Sequence, residues 1–89
     1  MSTVIIRHRV ADFDAWKPVF DEHGAVRREH GLQDASLLRD EDDPNTVTIL
    51  LTTDDTAGAR EFLSSDNLRE AMQNAGVVSE PDLWIANDA

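Results

Sequence analysis

The hydrophobic period changes repeatedly along the chain, and those changes constrain the fold more than any other property. From Thr3 to Val10 the pattern alternates, with Val4, Ile6, His8 and Val10 on one side and Ile5, Arg7 and Arg9 on the other. Period two with β-branched residues predicts a strand. After Asp12, a good N-cap, the period becomes helical. Phe13, Trp16, Phe20 and Gly24 or Ala25 form one stripe, flanked by Val19, His23, Val26 and His30. Pro18 inside that pattern predicts a late start or a bend, and Gly31 marks the end. Leu32 to Arg39 reads as a weaker strand, with Ala35 and Leu37 facing opposite to Ser36 and Leu38. Asp40 to Asn45 is an acidic turn, and Thr46 to Thr53 is the strongest strand. Asp54-Asp55 caps a short helix whose Ala59, Phe62 and Leu63 look inward. Ser64 to Asn67 interrupts it, and Asn67 with Glu70 predicts a capping box for a second short helix. That helix has Leu68, Ala71, Met72 and Ala75 as its apolar face and ends at Gly76. Asp82 to Ala86 is the last strand.

The order is therefore βαββαβ, with the second helical region split. This connectivity predicts an α+β, ferredoxin-like fold, a four-stranded antiparallel sheet with the helices on one face. Residues 1–89 are expected to form a single domain. A chain of 89 residues buries only about 60–65% of its unfolded surface and has nothing left to cover the other sheet face. The expected cover is the same face of a second copy, which makes a homodimer.

Composition narrows the function. The chain has no cysteine, so it offers no disulfide, thiolate nucleophile or thiolate metal site. Eighteen acidic residues against eight basic ones give a net charge of -10. Such a surface repels phosphate backbones and anionic lipid, so neither nucleic acid nor a membrane is an expected partner. The N-terminus has no basic region before its short apolar run, which points to a cytoplasmic chain. Lys17 is the only lysine. Two readings of this Asp-rich, Lys-poor surface stay open. One is a salt-loving source, in which screening relieves self-repulsion; the other is a GC-rich genome. A steep rise of melting temperature with molar salt identifies the first.

The segment His8 to Asp21, HRVADFDAWKPVFD, resembles small proteins of the dimeric α/β-barrel superfamily, in particular the antibiotic-biosynthesis-monooxygenase-like group, some of whose members are called cyclases. Leu38 to Asn45, Ala59 to Leu63, Leu68 to Met72 and Ala75 to Val77 extend the resemblance over most of the chain. It implies a dimeric α/β barrel and a small hydrophobic or aromatic ligand. For an enzyme it implies a cofactor-independent monooxygenase or a polyketide-type cyclase, with no tightly bound cofactor. Departures limit the reaction. No His follows His30, so the ligand of the haem-degrading branch is missing from the second helical region. The chain has no Tyr, so the residue set of the plant-type cyclases is incomplete. Fold alone does not fix function, and a non-catalytic ligand-binding or dimerisation module is the alternative.

His8 and His23 are the candidate catalytic residues. An imidazole on the apolar face of the first strand is either a tuned acid or base or a satisfied core residue. His23 lies seven residues after Trp16 and three after Phe20, aimed at the same space or at the helix flank. His23 and His30, two helical turns apart, are too distant to share a metal, so no metal site is expected. Trp16, Phe20, Phe62, Met72 and Trp84 are the candidate pocket walls, or plain core. Arg7 and Arg9 invite ion pairs with acidic side chains, or form an anion clamp.

Overall fold

The computed structural model describes residues 1–89. Its elements are β1 (Ser2–Arg9), α1 (Phe13–Glu22), α2 (Gly24–Glu29), β2 (Leu32–Arg39), β3 (Thr46–Thr53), α3 (Thr56–Leu63), α4 (Asp66–Asn74) and β4 (Asp82–Asn87). The four strands form one antiparallel sheet in the order β2-β3-β1-β4, which is the ferredoxin-like arrangement the sequence predicts. β1 and β3 are central because they carry the strict alternation. Val4, Ile6 and His8 of β1 and Val47, Ile49 and Leu51 of β3 are buried under the helices. Trp16, Ala59 and Phe62 come down onto them to form the core. No helix is long and apolar enough to cross a membrane.

Four local features correct the expectations. First, the α1 helix does not start late: it begins at Phe13 and runs through Pro18 to Glu22. Asp12 is extended and its side chain accepts a hydrogen bond from the Asp14 N–H, and Asn45 Oδ1 accepts one from the Phe13 N–H at 3.0 Å. Pro18 sits inside the helix. The break falls at His23, which separates α1 from α2. Second, the β1 strand ends at Arg9. Val10 makes only an isolated bridge to Val77.

Third, β2 carries a bulge between Asp34 and Ser36. A bulge inserts one residue and reverses the alternation after it. Leu32 and Asp34 before it, and Leu37 and Arg39 after it, pair with Thr53, Leu51, Ile49 and Val47, the helix-side residues of β3. Strict alternation would have put Leu32 and Leu37 on opposite faces. Fourth, α4 starts at Asp66, with Ser65 as its cap in place of Asn67. Ser65 Oγ accepts from the Leu68 N–H at 3.2 Å and donates to the Phe62 carbonyl at 2.7 Å, so one hydroxyl joins α3 to α4. The stops at Gly31 and Gly76 are as expected, each with positive φ (78° and 85°), where a side chain would be strained.

The acidic turn between β2 and β3 is held by hydrogen bonds of its own. Asp40 Oδ2 accepts from the N–H groups of Asp42 and Asp43, and the Asn45 carbonyl accepts from the Val10 N–H. The Asp43 and Asp42 N–H groups, with Arg7 beside them, hold the Asp40 carboxyl below the usual carboxylate range. Arg7 pairs with Asp40 at 3.3 Å and Arg9 with Asp43 at 3.5 Å. Both arginines are thus answered within their own chain.

Candidate functional site

Between the helices and the β1–β3 centre of the sheet lies a cavity of about 70 Å³. Its floor comes from the helix-facing residues of β1 and β3, including Ile6, His8, Ile49 and Leu51. Trp16, Phe20 and His23 of α1 and its end, Arg27 of α2, Phe62 and Leu63 of α3, and Leu68 and Met72 of α4 enclose it. Leu83 joins from β4, because Leu83 is the register partner of Ile6. Thirteen of the 17 lining residues are hydrophobic, so the space suits an apolar or aromatic group.

Six of the seven residues proposed from the sequence border this one space: His8, His23, Trp16, Phe20, Phe62 and Met72. Trp84 does not, and its assignment to the pocket wall is corrected. It pairs with Ile5, on the sheet face opposite the helices, and is half exposed. Helical spacing fixed the direction of Trp16 and Phe20. In β4, Leu83, Trp84, Ile85 and Ala86 are apolar in succession, and only the register with β1 decides which of them faces inward.

His8 is the polar centre of the site. It is 5% exposed and meets Trp16 edge to face, with ring centroids 5.7 Å apart. Its Nδ1 is buried with no hydrogen-bond partner. Burial lowers the pKa of His8 from its ordinary value of 6.5, with its own backbone alone working in the other direction. The cause is desolvation, which disfavours the imidazolium. His8 is therefore a neutral imidazole at neutral pH, with an unsatisfied nitrogen beside an apolar space. An orphaned buried nitrogen costs about 1–3 kcal/mol, a cost that a ligand's polar atom would relieve.

His23 borders the same cavity because the chain breaks there: it closes α1 and starts α2, half-buried. His30 points elsewhere. It lies against Phe62, with ring centroids 4.8 Å apart, and its Nδ1 is 2.9 Å from the Val26 carbonyl. No three His, Asp or Glu side chains cluster closely enough to hold a metal ion.

Arg27 was not foreseen. A charged residue beside an apolar stripe reads as solvated, yet this one is buried and lines the cavity. Its Nε and Nη2 donate to both oxygens of Asp34 at 2.8 and 3.0 Å, and Nη1 donates to the Phe20 carbonyl at 2.9 Å. Its guanidinium carbon lies 3.8 Å from the centroid of the Phe20 ring, a cation–π geometry. Asp34 is within reach because it shares the helix side of β2 with Leu32, two residues before it. The signal available in the sequence was spacing, because Arg27 lies four residues after His23 and seven after Phe20.

The fold has close counterparts among solved structures. An antibiotic biosynthesis monooxygenase shares 16% identity over 100% of this chain and 99% of its own, at a TM-score of 0.70. SnoaB from Streptomyces nogalater, a cofactor-independent oxygenase, shares 22% identity over 99% of this chain and 94% of its own, at a TM-score of 0.71. An uncharacterized NIPSNAP domain protein from Burkholderia xenovorans shares 9% identity over 100% of this chain and 95% of its own, at a TM-score of 0.67. No family model and no curated protein matches the sequence. The resemblance noted in the sequence holds at the level of architecture: the chain has the fold seen in these antibiotic biosynthesis monooxygenase structures.

Proposed function

We propose that the protein is a small-molecule enzyme acting on a small hydrophobic or aromatic metabolite, with His8 as its acid or base and no tightly held cofactor. The observation that carries this reading is the orphaned Nδ1 of a neutral, buried imidazole on the wall of an apolar cavity. A neutral imidazole in the tautomer that leaves Nδ1 free accepts a proton from a phenolic oxygen or an activated carbon. Trp16 and Phe20, stacked with centroids 4.9 Å apart, and Phe62 would hold the ring. His23 serves as a second proton-handling group at the helix break. The likeness in fold to SnoaB supports the oxygenase form.

The working unit in this reading is a homodimer built on the open sheet face. Ile5, Leu50, Trp84 and Leu38 share that face, and Trp84 and Leu38 are 50% and 51% exposed. An apolar patch on a sheet is a self-association surface. Light scattering at micromolar concentration should return a dimer mass, and a monomer mass would overturn this part.

The size of the cavity favours one rival, a ligand-binding or dimerisation module without catalysis. About 70 Å³ is roughly half the cavity known to take benzene. A thermal-shift screen of quinols, phenols and haem, followed by oxygen uptake with each hit and with His8→Ala, separates the two. The enzyme reading expects at least one hit whose turnover is lost in His8→Ala. Hits turned over equally by the variant remove His8 from the mechanism, and hits without turnover favour the module.

A further inference from the structure

An acidic chain has placed only basic polar side chains around its cavity. His8, His23 and Arg27 are the polar lining residues, and no carboxylate borders the space, although acidic residues outnumber basic ones 18 to 8. Arg27 supplies the fixed charge. A guanidinium has five N–H donors. Asp34 takes two and the Phe20 carbonyl one, which leaves two. The Arg27 side chain is 6% exposed, whereas that of Asp34 is 49% exposed. Water therefore screens the carboxylate, while the guanidinium is held out of water on a residue that lines the cavity, where a second acceptor is favoured. The pairing with Asp34 and the Phe20 ring also fix the fork in place, so a ligand need not order it.

We propose that the cavity is selective for an aromatic oxyanion, an aryl carboxylate or the phenolate of an acidic phenol, whose oxygen takes the free N–H donors of Arg27 while its ring lies between Trp16 and Phe62. This rests on the cavity being a ligand site. A neutral ring of the same shape keeps the apolar contacts and forgoes the charge-assisted hydrogen bonds. An ammonium meets only basic groups and loses its hydration without return. A ring exceeds the roughly 70 Å³ of the cavity, so the ligand would extend toward the wider surface groove beside α4, which shares Leu63, Met72 and Pro81 with it.

The test is isothermal calorimetry of the full chain with three isosteres: 2-naphthoate, 2-naphthalenemethanol and 2-naphthylmethylammonium. The expected order is naphthoate at least about tenfold tighter than the alcohol, with no heat from the ammonium. Asp34→Asn, which removes the competing carboxylate, should tighten naphthoate and leave the alcohol unchanged. Arg27→Gln should reduce naphthoate to the affinity of the alcohol; where that variant does not fold, the Asp34→Asn comparison decides alone. Equal affinities for acid and alcohol, or preference for the ammonium, overturn the oxyanion selectivity but keep the ligand site. No heat from any of the three overturns the ligand site and this inference together.

Discussion

The two tryptophans of the chain stand on opposite faces of one sheet. Trp16 is 3% exposed and Trp84 is 50% exposed. Around Trp16 the sheet is apolar, roofed by helices and interrupted by a few basic groups, one of them His8 with an unpaired nitrogen. Around Trp84 it is a flat surface of Ile5, Leu50 and Ala86 with threonines, edged by the Arg7–Asp40 and Arg9–Asp43 pairs. A hydrophobic side chain buried by its own chain contributes to folding. One left bare contributes only once something else covers it. The covered face therefore holds the stability and the proposed chemistry, and the open face the proposed association.

Five perturbations test that division. The largest effect is expected from Trp16→Ala, about 3–5 kcal/mol of unfolding free energy by urea denaturation, because it empties a packed site. Trp84→Ala should cost the protomer less than about 0.5 kcal/mol. Equal losses would erase the contrast between the faces. Asp34→Ala comes next, at about 1.5–3 kcal/mol, because it strips the buried Arg27 of its partner while half of the lost carboxylate was already in water.

The pH dependence is smaller. The folded pKa of His8 lies below its unfolded value of 6.5, so the unfolded chain takes up the proton first. The neutral-His8 contribution is fully present above 6.5 and is lost as pH falls toward the folded pKa. The slope from this one group is at most about 1.4 kcal/mol per pH unit. Subtracting the urea-derived stability profile of His8→Gln from that of the parent over pH 5–7.5 should isolate it. A flat difference profile would contradict a buried neutral imidazole. Smallest of all is Arg9→Ala, within about 0.5 kcal/mol, since the Arg9–Asp43 pair is an exposed one. A loss well above that in the protomer would mean that the rim of the open face is structural.

Much of this was legible from the residues. Strict alternation in β1 and β3 fixed their inward faces, including that of His8, and the helical stripe fixed Trp16 and Phe20. What escaped has local physical causes. The bulge at Asp34–Ser36 leaves no mark in composition, yet it brings Leu37 to the same side as Leu32 and Asp34. Ser65 and Asn67 are both good caps, and the Phe62 carbonyl decides for Ser65. β4 is apolar without alternation, so pairing alone sends Leu83 inward and Trp84 outward. Arg27 was hidden because its partner, Asp34, lies seven residues later on another element.

The central claim is that ligand binds on the helix side of the sheet and not on the open side. The two indole N–H signals in a ¹⁵N-correlated NMR spectrum report on the two sides separately. Titration with 2-naphthalenemethanol should move the Trp16 indole, along with the backbone signals of His8 and Phe62, and leave the Trp84 indole in place. Movement of Trp84 alone, or of neither indole at saturating ligand, would contradict the account.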